Sequence, residues 1–159
     1  MNATRARRFA ALCLVVASTL MAAGCDYEIP LTATATHNVD PRLLGDWVAD
    51  GEDMTMKVRR LDDATYIVVC DGDLYRAIHS DVADTAFLSV QDLDSDARRY
   101  AYLAWKLSGD GSVLTLNVVN SEVIPATLGD ARALQQAIRE HLRDPKLLAK
   151  DVVFRRAKA

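Results

Sequence analysis

The side chains able to do chemistry are few and scattered. His79, Ser80 and Asp81 follow one another at the end of an alternating run, and these are the three side-chain types of a hydrolytic triad. Neighbours on a strand point to opposite faces, so three consecutive residues cannot converge on one substrate. Cys70 closes the apolar run Tyr66-Ile67-Val68-Val69, where a free thiol behaves as a small hydrophobe; a nucleophilic role would need a basic neighbour to lower its pKa. Asp92, Asp94 and Asp96 place carboxylates at alternate positions of one segment, a pattern that can close on calcium. Compared with an EF-hand loop, the sixth position is Ala97 instead of Gly and the twelfth is Leu103 instead of Glu, so the segment reads as a solvated turn. No pair among His37, His79 and His141 has the spacing of a zinc site. No nucleophile, base and orienting group can be assigned together, so the expectation is a non-enzymatic protein with no catalytic residue, no metal and no cofactor.

The remaining reactive residue is Cys25. It is preceded by Arg5, Arg7 and Arg8, the apolar run Phe9 to Ala23, and Gly24. A basic start followed by an apolar stretch ending in small residues is a secretory signal, too short for a spanning helix of roughly 20 residues. With Met21-Ala22-Ala23-Gly24 before the cysteine, the segment resembles the signal peptide and lipobox of a bacterial lipoprotein. Ala22 stands where Leu is commoner. The resemblance implies a diacylglyceryl group on the Cys25 sulfur, cleavage after residue 24, and acylation of the new amine. Two or three acyl chains give stable attachment at about 0.8 kcal/mol per buried methylene. The protein is then held in the cell envelope facing the periplasm. Asp26 resembles the residue that keeps some lipoproteins in the inner membrane, a rule that varies among lineages and leaves the choice of membrane open.

Composition bounds what the mature chain can bind. Nineteen Lys and Arg less the three arginines of the signal leave sixteen against twenty-two acids, a net charge of −6. That balance argues against a nucleic-acid partner, since phosphate binding needs a basic face. Attraction to anionic headgroups is equally unsupported, so the lipid on Cys25 is the expected membrane contact. Cys13 leaves with the signal, and Cys70 stays unpaired.

The elements that must position these residues are mostly strands. Residues 26–39 carry alternating Thr and Ala without a helical period and read as a flexible tether, averaging about 20 Å end to end and reaching roughly 45 Å when extended. Asp40-Pro41 opens a single folded unit, residues 40–159, with the proline at the first turn of a short helix. Period-two runs mark strands at 45–49, 54–61, 65–70, 73–79, 85–90, 98–107 and 113–119. Asp71-Gly72 is a two-residue hairpin turn, and Gly109-Asp110-Gly111 is a second tight reversal. Near the end the period changes: Leu128, Ala131, Leu134, Ile138 and Leu142 fall on one face of a helix over about 128–143, capped by Asp130 and ended by Asp144-Pro145. Val152-Val153-Phe154 supplies a short final strand. The expected class is mainly β (α+β): an antiparallel meander of about seven or eight strands, barrel-like or strongly curved, with one C-terminal amphipathic helix.

Gly45-Asp46-Trp47 on the first strand, followed by that order of elements, resembles the lipocalin and wider calycin barrels. The Thr-Asp-Tyr element that many lipocalins carry is missing, and the domain is short for the family. The resemblance implies that Trp47, with Gly45, closes one end of the barrel under a basic residue late in the chain, Arg155 or its neighbour Arg156. If the sheet encloses space, a small apolar ligand would lie among Tyr66, Tyr75, Phe87, Tyr102 and Trp105; in a filled barrel the same rings are core. A second expectation is a protein–protein interaction or assembly module of the envelope, with a filled core and a partner contacted through a sheet edge or an acidic face. A third is a small hydrolase built on Cys70 or His79.

Overall fold

The computed structural model describes residues 26–149 and 151–158; the signal-like segment and Cys25 lie outside them. Eight strands form one closed antiparallel barrel in sequence order: β1 (Gly45–Ala49), β2 (Thr55–Arg60), β3 (Thr65–Cys70), β4 (Asp73–His79), β5 (Phe87–Asp92), β6 (Tyr100–Leu107), β7 (Val113–Val118) and β8 (Val152–Arg156). Closure is made by β1, which pairs with β2 on one side and with β8 on the other. Helix α1 (Ala131–His141) lies between β7 and β8.

Local chemistry accounts for the turns and caps. Asp71 and Gly72 both take positive φ, 52° and 100°, as the tight hairpin between β3 and β4 requires. The Asp130 side chain accepts hydrogen bonds from the Arg132 and Ala133 N–H groups, satisfying two of the orphan donors at the start of α1. Asp40 caps the 3-10 helix Pro41–Leu43 in the same way through Arg42 N–H.

The sheet separates two apolar cores. The first fills the barrel and includes Trp47, Met56, Tyr66, Leu103, Leu114 and Phe154. The second lies outside, where α1 lays Leu134 and Ile138, each fully buried, against Phe87, Tyr102 and Ala104 on the outer face of β5 and β6. A strand buried on both faces loses the simple alternation, and Phe87 through Gln91 are accordingly all buried.

Residues 26–39 are not a free tether. Tyr27 pairs with Tyr100 through two backbone hydrogen bonds, stacks on Tyr102 with ring centroids 4.1 Å apart, and donates its hydroxyl to the Ile124 carbonyl. Leu31 is fully buried in the outer core, and its N–H donates to the Ser89 hydroxyl. Farther on, Thr32 bonds Ser80, Thr36 N–H reaches the His79 carbonyl and Val39 N–H the Asp63 carbonyl. The segment is a strap from β6 across β5 and β4 to one end of the barrel. Its burial of Tyr27 and Leu31 outweighs the entropy that the Thr-Ala composition suggested, because each side chain brings the order of 2 kcal/mol of apolar transfer.

Candidate functional site

The barrel interior is packed. A cavity of about 50 Å³ lies inside it, lined by apolar groups among which are Leu43, Met56, Tyr66, Cys70, Tyr75 and Leu103. Ligand pockets for small organic molecules run to about 300–1,000 Å³, so this space holds a few atoms at most. The five aromatics expected around a ligand are not brought together. Tyr66 and Tyr75 line the cavity, and Trp105 packs beside the same core. Phe87 and Tyr102 sit on the outer face beneath α1 and the strap, where the Tyr102 hydroxyl donates to the Ile29 carbonyl. The reason is parity: Tyr102 and Trp105 are an odd number of residues apart on β6 and must face opposite ways.

A buried polar cluster closes one end of the barrel. His79 is 2% exposed, and its Nε2 lies 2.7 Å from the Tyr66 hydroxyl, which accepts the Asp40 N–H at 2.6 Å. With that bond already accepted, the hydroxyl proton of buried Tyr66 is placed by donating to His79 Nε2, which puts the imidazole proton on Nδ1. Burial pushes the His79 pKa down, opposed by the Asp81 carboxylate and assisted by His37; burial pushes Tyr66 up to about 12. Both groups are therefore neutral near pH 7. His79 Nδ1 and Trp105 Nε1 have no hydrogen-bond partner among the described residues. Residues 36–40 roof this cluster, with His37 Nε2 2.9 Å from Asp81 Oδ2. Ser80 points the other way into the outer network, bonded to Thr32 and Ser89, so His79, Ser80 and Asp81 form no triad.

Gly45, Trp47 and Arg156 make the barrel closure. Trp47 is fully buried and donates its indole N–H to the Leu43 carbonyl. Arg156 lies over the indole, its Cζ 4.3 Å from the ring centroid, and donates to the carbonyls of Gly111, Leu44 and Arg42. The basic residue is thus Arg156 and not Arg155. In the β1–β8 register Trp47 stands opposite Arg156, so the two share the inner face, while Arg155 faces outward and pairs with Asp50 at 2.9 Å. Gly45 has φ +137°, and a Cβ there would come within 2.6 Å of Arg156 Nη1. A side chain there would displace the guanidinium from its place over the indole.

The other candidates have structural roles. Cys70 is buried, and burial with help from Asp71 and Asp73 raises its thiol to about 11, which keeps it protonated at neutral pH. Asp92 accepts the Asp94 and Ser95 N–H groups and Asp94 accepts the Leu74 N–H, so the alternating carboxylates organise the β5–β6 turn. Among the described residues no three of His, Cys, Asp and Glu are placed to hold a metal ion. His141 Nδ1 bonds the Ala137 carbonyl inside α1. A larger cavity lies outside the barrel: a groove of about 400 Å³ between strap residues Pro30 and Ala33 to Ala35 and the outer face of β3 to β5, with Thr65, Arg76, Ile78 and Ser89 in its wall. Nothing in the sequence marked it, because a Thr-Ala run carries no sign of the surface it crosses. Comparison with protein-family models, with curated proteins and with solved structures found no match to this chain.

Proposed function

We propose that this chain is a lipid-anchored, non-enzymatic protein of the bacterial envelope whose lipocalin-like barrel serves as a protein–protein interaction module rather than as a carrier. The anchoring part rests on the sequence alone: three arginines, the apolar run to Ala23, and Cys25 directly after Gly24. The choice of module over carrier rests on one observation, the interior cavity of about 50 Å³, which is far below what an apolar ligand of ordinary size needs. The closed barrel also leaves β1 to β8 without a free edge, so a partner is met through side chains and not by added strand pairing.

Crosslinking on intact cells tests the reading. A single protein partner recovered in stoichiometric amount supports it; recovery of the protein with a bound lipid or other apolar small molecule, and no protein partner, would favour the carrier. The anchor is checked separately with Cys25→Ser. Loss of the protein from the membrane fraction is expected, and unchanged fractionation refutes the lipid.

A further inference from the structure

We infer that the outer face of β2, β3 and β4 is the docking surface of this module, and that it takes an acidic segment of the partner protein carrying interspersed aliphatic side chains. The inference rests on the interaction reading above and gives it a place and a chemistry.

Alternation along the three strands sends nine side chains outward. Three are basic: Lys57 and Arg59 on β2 and Arg76 on β4. Four are aliphatic: Ile67 and Val69 on β3, Leu74 and Ile78 on β4; the others are Thr55 and Thr65. None is a carboxylate, in a chain with twenty-two acids and a net negative charge. The register gathers them into one patch, since Lys57 lies opposite Val69, Arg59 opposite Ile67, Val69 opposite Leu74, and Ile67 opposite Arg76. Leu61, at the turn that follows β2, is 59% exposed and extends the apolar part.

Two of the three cations are free to receive a partner. Arg59 is held by Asp46 of β1 at 2.6 Å, whereas Lys57 and Arg76 make no ion pair among the described residues. Much of the neighbouring barrel exterior is engaged. The strap and α1 cover β5 and β6, the strap crosses only the His79 end of β4 before reaching Asp63, and the outward charges Asp46 on β1 and Arg155 on β8 are paired with Arg59 and Asp50. The groove of about 400 Å³ runs along the border of the patch, with Arg76 and Ile78 in its wall, and gives a partner side chain somewhere to enter. Asp62 also lines that groove, its carboxylate already accepting the Ala64 N–H.

Charge complementarity sets the sign of the partner: two unpaired cations beside four half-buried aliphatics fit a segment in which carboxylates alternate with Val, Ile or Leu. The attachment point leaves the face accessible. The chain enters the barrel surface at Asp26, whose carbonyl accepts from Arg99, and at Tyr27 beside Tyr100 on β6, which is two strands around from β4.

The test uses the full mature lipoprotein in detergent and a labelled peptide of alternating Glu and Val, with a Lys-Val peptide of the same length as control. Saturable binding of the Glu-Val peptide that weakens with salt is expected, reduced about tenfold by the double change Lys57→Glu with Arg76→Glu. Ile67→Ser should weaken it several-fold, and Lys106→Glu on β6 should leave it unchanged. The neutral pair Lys57→Ala with Arg76→Ala keeps the test sound if charge reversal lowers the melting temperature. Equal binding of both peptides, or indifference to the double change, overturns the inference. So does a surface that instead binds anionic vesicles, or one that makes a dimer abolished by the same substitutions. In cells, a stoichiometric partner crosslinked only from other faces would sink this surface while leaving the module reading intact; no partner at all would sink the module.

Discussion

Arg156 and Trp47, 109 positions apart in the chain, stand opposite one another where β8 meets β1, with the guanidinium 4.3 Å above the indole. That contact ties the last strand to the first, and Gly45 makes room for it.

Arg156→Ala is expected to lower stability by about 2–4 kcal/mol, because it removes a cation–π contact of about 0.5–2 kcal/mol and leaves three backbone carbonyls without their donor. Arg155→Ala, one residue away and facing solvent, should leave the urea midpoint unchanged. Gly45→Ala should cost about 1–3 kcal/mol from its left-handed φ and the close approach of Arg156. Part of that cost should vanish in an Arg156→Ala background, and equilibrium unfolding of the double variant measures the coupling.

His79 should make stability fall with acid. Its folded pKa lies below the unfolded value of about 6.5, so the unfolded chain binds more protons as pH drops through that region. The contribution is complete above about pH 6.5 and is lost as pH falls below it, the Asp81 carboxylate moderating the loss. Urea midpoints between pH 7 and 5 should decline in the parent and decline less in His79→Gln, which keeps an acceptor for Tyr66. Identical slopes would show that His79 is not the group responsible.

Tyr27→Ala is expected to cost about 3–5 kcal/mol. It empties a site that is 1% exposed, removes the stack on Tyr102 and strands the Ile124 carbonyl. Hydrogen exchange should quicken first along residues 27–36 and α1, with the barrel strands β1 to β3 protected. Uniform protection throughout would mean that the strap does not hold the outer core.

Cys70 should resist a thiol reagent in the folded protein and react once urea unfolds it, as a buried thiol raised to about 11 demands. Fast labelling of the native state at pH 7 would contradict its burial.

How much of this was legible beforehand depends on which contacts are local. The strands 65–70 and 73–79 were read to the residue because Asp-Gly fixes the turn between them and the side chains alternate on both sides. Asp130 announced α1 for a similar reason. By contrast, Phe87 and Tyr102 were read as ligand-facing although they lie under α1: an aromatic residue on a strand with two buried faces carries no mark of which core it enters. The Thr-Ala composition of the strap suggests a free linker, although Tyr27, Ile29 and Leu31 recur at alternate positions around Glu28 and Pro30, a signal outweighed by the turn-like residues after them.

The order of strands, their tight turns and the helix were legible in the chain alone, since each turn and the helix are specified by residues close together in sequence. Only the folded chain shows that the barrel closes on a filled interior, that Arg156 and not Arg155 meets Trp47, that residues 26–39 are bound down, and that Lys57 and Arg76 share one face. Those outcomes depend on register and on which surfaces pack together, and both are set by the balance of buried area over contacts distant in the chain.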